Sequence, residues 1–420
     1  MPVPVVVPSP PAPAPMRGAS VRRPAVAIGY CFALGGMVFG SWAGRLADVK
    51  EQVGAAPGLL GLAMLGTAAG SLTSMLLASR LIARFGTRRL LVVTGTLMCL
   101  SLCVAASSTS LIHLAVGLTG MGLGSGSFAV CFGLLAVDYQ QRAGRPLVTR
   151  FHGCHSAGGL GGAIIGVAAT ETLSPATHLG VLAIVGIIGL WAMAPALPDA
   201  DRHGASGAST SVITPALLTV GFVAACAAFG EGSVVGWAAV YLREQLHAPA
   251  ALVPLGFAAQ ALCMVIVRST GPQIFARWGI ADALTRAGAL TAFGATLVAF
   301  APVPLIAIVG FGAIGAGVAN VFPTVTALAG HTQPGALDTE LVDEPPRLAL
   351  GMNPFALAVL LGASGSLLSG PTVGLISQLS TLRLAFVAVA LAGVAVALLA
   401  PRLVATTTTP SAGTATPAAA

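Results

Sequence analysis

Few residues in this chain could do chemistry, and each stands in or beside a long apolar run. Glu231 is the only acidic residue well inside such a run, about ten residues and so roughly 15 Å from its end if the run is helical. A carboxyl at that depth can alternate between neutral and charged forms and so couple proton movement to another process. The alternative is a packing carboxyl bonded to a backbone carbonyl. Arg268 lies late in the next run. Counted from the ends of the two runs, it and Glu231 differ in depth by about 12 Å, so no ion pair is expected. Arg268 then either lines a cavity or extends to the nearer membrane face.

His152 and His155 are three residues apart and share a helical face at the start of another run. They suit a gate or a proton relay, since histidine titrates near neutrality, with a structural or interfacial role as the alternative. Two histidines without a third ligand make no metal site. Trp42 and Arg45 close the first run, and a tryptophan recurs at 237. These residues suit an outer gate or a stacking surface for a ring-shaped solute, or the membrane interface. Tyr30, Gln260 and Asn320 are further cavity candidates, with bridging between helices as the alternative. No cofactor is expected. No glycine-rich phosphate loop closed by Lys and Ser or Thr is present, and Gly122–Gly126 has its serine in the wrong place for a nucleophile elbow. The chain is not expected to be an enzyme.

The elements that position these residues follow from composition. The chain has 420 residues, of which 56% are hydrophobic and 8% charged, against about 25% charged in soluble proteins. Mean hydropathy is +0.91. A soluble fold cannot hide that much apolar surface. The net charge of +7 is spread over short segments without a basic stripe, so no nucleic-acid partner is expected. The seven cysteines lie in apolar runs without CxxC spacing and read as small packing residues. What remains is an all-α protein that spans a lipid bilayer many times.

About 20 apolar residues make one span. Twelve runs qualify: 25–45, 57–79, 90–108, 111–137, 150–171, 178–197, 214–241, 250–270, 285–301, 303–328, 350–377 and 381–403. Fifteen Arg residues fall in segments on one side of this topology, and Arg45, Lys50, Arg243 and Arg383 on the other. That bias places both termini in the cytoplasm, with the cytoplasmic membrane as the location. Residues 1–24 hold a proline-rich, disordered start. A first six-helix bundle covers 25–197, a polar cytoplasmic linker 198–213, a second bundle 214–403, and a disordered tail 404–420. A polar insert at 331–347 carries four acidic residues.

The two bundles repeat each other. Ala83-Arg84-Phe85-Gly86 recurs as Ala276-Arg277-Trp278-Gly279, and Glu51-Gln52-Val53 as Glu244-Gln245-Leu246, both at an offset of 193. Trp42-Ala43 recurs as Trp237-Ala238, at an offset of 195. The first run maps onto the seventh, so both copies have the same orientation. Parallel repeats of this kind create a path between two halves. In this the chain resembles the major facilitator superfamily. Its loop signature is matched by Arg84, Gly86, Arg88 and Arg89, with Ser79 and Ala83 where the family carries Gly and Asp. A narrower resemblance is to a bacterial branch near the fucose permeases. It rests on Ser41 to Arg45, His152-Gly153 with Ser156, Glu231-Gly232 with Trp237, and Gly370-Pro371. That branch often carries an acidic residue in the fourth span and one before the seventh-span tryptophan, and Phe128–Val137 and Gly236 offer neither.

The resemblance implies a major facilitator fold of twelve transmembrane helices in two pseudo-symmetric six-helix bundles. It implies a monomeric secondary transporter that moves a small organic solute by alternating access, its cavity lined by the first, fourth, seventh and tenth spans. Protons are the expected driver, through Glu231 and the histidines. No cluster of basic residues is available for a multiply charged anion, so a neutral or weakly cationic solute is expected. Few polar residues are available for sugar, and the reading leans to efflux of a metabolite or drug-like compound. Sugar-like uptake by proton symport, an uncoupled facilitator and a transport-dead membrane sensor stay open.

Overall fold

In lipid, a run that is apolar on all sides can satisfy its backbone only as a helix. A computed structural model of the protein describes residues 22–144, 147–198, 211–212, 215–331, 349–350 and 354–408. The proline-rich start, most of the linker, the acidic insert and the end of the tail lie outside the described residues. The helices are α1 (Arg22–Val53), α2 (Pro57–Phe85), α3 (Thr87–Ala106), α4 (Leu111–Ala143), α5 (Val148–Thr170) and α6 (Pro175–Met193), then α7 (Pro215–Val240), α8 (Leu255–Ala299), α9 (Pro304–Val318), α10 (Val321–His331), α11 (Pro354–Leu379) and α12 (Leu382–Thr408). Among the described residues, ten helical segments are long and apolar enough to cross a membrane. The sequence count of twelve differs from this for two reasons. Residues 250–299 count as one segment although Gly279 interrupts them, and α5, carrying Arg150, His152 and His155, falls short of the apolar standard.

Short connections fix where helices begin. Ser110 and Ser174 cap α4 and α6, accepting from the amides of His113 and Thr177 at 3.3 and 3.1 Å. Pro57, Pro175 and Pro304 stand in first turns, where a missing amide costs nothing. α6 shows the lipid-facing surface plainly: Ile184, Val185 and Ile188 are 57, 61 and 64% exposed. Such a face has no place in water and fits hydrocarbon.

Packing repeats along the chain. α1 packs on α5, α2 on α4, and α3 on α4 and α6. In the second set α7 packs on α11, and α8 on α9 and α12. Each set has an aromatic knot. Phe32 and Phe132 lie 4.1 Å apart by ring centroids in the first, and Tyr241 lies edge-on to Phe386 at 5.3 Å in the second. Between the sets, α2 meets α11, α5 meets α8 and α1 meets α7. The first two contacts are copies of each other under the repeat. A two-residue β ladder pairs Ser211-Val212 with Ala349-Leu350, bringing the linker's end beside the start of α11.

The repeat extends to single backbone torsions. Gly86 breaks α2 from α3 with φ 83° and ψ 154°, and Gly279, its copy, interrupts α8 with φ 73° and ψ 169°. Only glycine adopts this region at low cost. Gly54 and His247, again 193 apart, are both left-handed at φ 63° and 49°. Nothing lies within 4 Å of where a Cβ at Gly279 would stand, so only backbone strain opposes a side chain there. Gly279→Ala is therefore expected to lower stability by about 1–3 kcal/mol, read from thermal unfolding in detergent. An unchanged midpoint would refute this.

Candidate functional site

A cavity of about 370 Å³ lies between the two sets of helices, within the size of ordinary small-molecule sites (about 300–1,000 Å³). Most of its wall is apolar. Phe39 and Trp42 of α1, Met64 of α2 and Met121 of α4 face Phe257 and Met264 of α8. Seven glycine-rich helices converge here because small residues let backbones approach and leave room for few side chains. Polar groups are sparse and mostly small: Ser71, Ser125, Ser156, Ser366 and Ser369 contribute hydroxyls, and Thr67 one more.

The charged centre is a pair. Arg268 Nη2 lies 3.9 Å from Glu231 Oε2, and both side chains are partly exposed to the cavity. The depth count from sequence had separated them. α7 in fact runs on through a π turn, Tyr241–Gln245, while α8 begins only at Leu255. Measured from those ends, both residues lie about 20 Å deep. The error came from ending the seventh run before the π turn and from starting the eighth five residues early.

Arg268 also joins three elements. Its Nε donates to the Ala319 carbonyl at 3.1 Å, and its Nη1 to Ser156 Oγ on α5 at 3.0 Å. Ala319 ends α9, where the helix breaks before α10. A guanidinium at that carbonyl satisfies a group the break leaves bare and meets the negative end of the helix dipole. Asn320 supports the same break, donating to the Val267 carbonyl at 3.1 Å. Gln260 donates to the Glu231 backbone carbonyl at 3.3 Å and so holds α8 against α7 at the height of the carboxylate. Its own Oε1 is buried without a partner.

Trp42, His155, Glu231, Gln260 and Arg268 line the cavity. His152 does not; it stands edge-on to the Phe32 ring at 5.1 Å. Trp237 is fully buried behind the wall, packed on Gly374. Tyr30 donates to the Gly186 carbonyl at 3.0 Å, joining α1 to α6 away from the cavity. Asn320 braces the helix break without lining the cavity. Arg45 is buried at the end of α1, bound to the Leu173 carbonyl and, at 3.2 Å, to Asp48. Of the loop signature, Gly86 makes the turn, Arg84 lies over the Phe85 ring at 5.3 Å, and Arg88 and Arg89 are exposed. No cluster of three or more metal-binding side chains occurs among the described residues. Sequence reasoning quoted Ser156 only for a resemblance and missed the other four serines and Phe257. Their one signal was position, since each faces inward on a helix that is otherwise apolar, and facing cannot be read without the neighbours.

Contacts across the cavity gather at one end. Ion pairs join Lys50 to Glu244 and Arg243 to Asp48 and Glu51. A Cβ on Gly44 would meet Pro254 at 3.3 Å, and one on Gly61 the Gly370 carbonyl at 2.9 Å. At the opposite end, Gly29, Gly221, Gly271 and Gly362 meet only helices of their own set. The cavity is thus sealed at the end where α1 and α7 finish.

Comparison with known proteins places this geometry. The family model of the Major Facilitator Superfamily matches residues 26–337. An uncharacterized transporter of Sinorhizobium fredii is 27% identical over 89% of this chain and 96% of its own length. An uncharacterized MFS-type transporter of Yersinia pestis is 28% identical over 87% of this chain and 92% of its own. The membrane protein MosC of Rhizobium meliloti is 24% identical over 71% of this chain and 74% of its own. Among solved structures, the nucleoside transporter NupG superposes with a TM-score of 0.69 at 12% identity, covering 90% of this chain and 98% of its own. A bacterial homologue of the lysosomal transporter Spinster, inward-facing and occupied, gives 0.67 at 12%, covering 92% and 98%.

Proposed function

The chain belongs to the major facilitator superfamily, and on that premise we propose that it moves a small organic solute by alternating access, driven by protons. It is a multi-pass membrane transporter; the driver, the solute and the direction are our inference. The observation that carries the reading is the Glu231–Arg268 pair open to a cavity between the two sets of helices. A carboxylate in such a place can take a proton from one face and lose it to the other. Arg268 reports that change to α5, through Ser156, and to the broken α9–α10 segment, through Ala319. One carboxyl is thereby linked to both sets of helices.

The fold is read here as twelve crossings in two bundles, 25–197 and 214–403. α8 counts as two crossings that reverse at Gly279, as α2 and α3 do at Gly86, and α9 with α10 count as one. The arginine bias puts both ends of the chain in the cytoplasm, so the sealed end of the cavity faces outward. A cytoplasmic membrane location and a monomer complete the reading. His155 is assigned to the proton path and Trp42 to stacking on the solute. A neutral or weakly cationic solute fits the mostly apolar wall, with a lean to efflux of a metabolite or drug-like compound. The five serines favour a second reading, uptake of a hydroxylated, sugar-like solute. The likeness to the fucose-permease branch rests on the residues quoted above alone.

The test is a solute screen in proteoliposomes under an imposed proton gradient, reading internal pH. A solute that elicits proton flux is the expected result and names the solute class. Solute flux without proton movement would overturn the coupling and leave a facilitator.

A further inference from the structure

Lys50-Glu51 at the end of α1 and Arg243-Glu244 at the end of α7 are copies under the offset of 193. In the fold each basic residue reaches the acidic residue of the other copy. Lys50 pairs with Glu244, and Arg243 pairs with Glu51 at 3.3 Å. This is the reciprocal pattern that a two-fold axis produces between equal subunits, formed here within one chain. One element breaks the symmetry. Asp48 also pairs with Arg243, and its repeat counterpart is Tyr241. Arg45, whose counterpart is Ala238, holds Asp48 at 3.2 Å while bound to the Leu173 carbonyl. Arg45 is 1% exposed, so Asp48 is presented to Arg243 from a fixed base.

We infer that Lys50–Glu244 and Arg243 with Asp48 and Glu51 form a latch that holds the cavity shut at this end and must break for solute to pass there. The inference rests on the alternating-access reading but not on Glu231, protons or any particular solute. The pairs differ in weight. The Lys50 side chain is 9% exposed, whereas that of Glu51 is 77% exposed. Solvent screening leaves little to an exposed pair and more to a half-buried one. Lys50–Glu244 and Arg243–Asp48 therefore carry the latch, and Glu51 little of it. Arg45 is a positioning residue acting through Asp48.

The test needs no solute. Ser366 lines the cavity, and none of the seven native cysteines does. Ser366→Cys in the full chain then reports access to a membrane-impermeant maleimide in right-side-out and inside-out vesicles, with the parent chain as background. Lys50→Glu is expected to speed labelling from the latch side about tenfold, a population shift of about 1.4 kcal/mol, and to slow it from the opposite side. Glu244→Lys should do the same. Lys50→Glu with Glu244→Lys, which restores opposite charges, should return both rates to the parent's. If a reversal does not yield monodisperse protein, the neutral Lys50→Gln and Glu244→Gln take its place, with about a threefold change expected in the same direction. Single variants that leave both rates unchanged would overturn the latch, as would a double variant as open as the singles. A working latch without proton flux in the solute screen would leave this inference standing and fail the coupled reading alone.

Discussion

Glu231→Gln is expected to reduce solute-driven proton flux at least tenfold in proteoliposomes, while solute exchange between equal pools continues. Glutamine keeps the volume and the hydrogen-bonding of the carboxyl but cannot take up or release a proton at neutral pH. Exchange requires only that the cavity alternate while loaded, so it isolates coupling from binding. Gln260 bonds to the backbone of residue 231, and Arg268 keeps Ser156 and Ala319, so the wall of the cavity stays in place. The pair is open to solvent on one side, and removing one charge from it costs far less than in a dry interior. A folded variant is thus expected, checked by an unfolding midpoint close to the parent's. Unchanged proton flux would return Glu231 to a packing role. Loss of exchange together with proton flux would instead make Glu231 part of the solute's own binding.

Much of the fold was legible in the sequence because the bilayer permits so few answers. Apolar runs had to be helices, and the offset of 193 reappears in the fold as matching torsions at Gly86 and Gly279. Legibility ended where an outcome depends on which way a side chain faces. Trp42 and Trp237 look equivalent as sequence. One lines the cavity, and the other is buried behind it. His152 and His155 share a face by spacing, yet only His155 reaches the cavity, because Phe32 takes up the space beside His152. The Glu231–Arg268 pair was missed through errors at both ends: the π turn carries α7 four residues further, and α8 starts five residues later than the run, about 7 Å of depth. Hydropathy cannot correct the second error, since residues 250–254 are as apolar as the helix they precede. The latch was half visible: the repeat matched Glu51 with Glu244, and only the fold showed each paired with the basic residue beside the other.

Gly36, Gly40 and Gly44 are spaced by four in α1, as are Gly158, Gly162 and Gly166 in α5, and such a smooth face serves either fixed packing or sliding. The structure divides them. Gly44, Gly61, Gly370 and Gly374 meet the other set of helices, and these contacts must part if the two sets rock. Gly36, Gly40, Gly158 and Gly162 bring α1 and α5 together within one set. A Cβ on Gly36 would stand 1.9 Å from the His155 carbonyl, and one on Gly158 would stand 2.1 Å from that of Ala33. Each obstacle is backbone, so neither helix can yield by turning a side chain. Gly36→Val is therefore expected to force the helices apart and lower stability by about 3 kcal/mol or more, seen as a large fall in the unfolding midpoint and in monodisperse yield. Gly36→Ala should already show most of the fall, because the first added carbon is the one that collides. Gly133 in α4 and Gly180 in α6 have nothing within 4 Å of an added Cβ. Alanine there should hold or raise stability, by up to about 1 kcal/mol from helix propensity. If Gly36→Ala behaves like Gly133→Ala, α1 and α5 are not the rigid pair that the close approach implies, and the moving surface includes both.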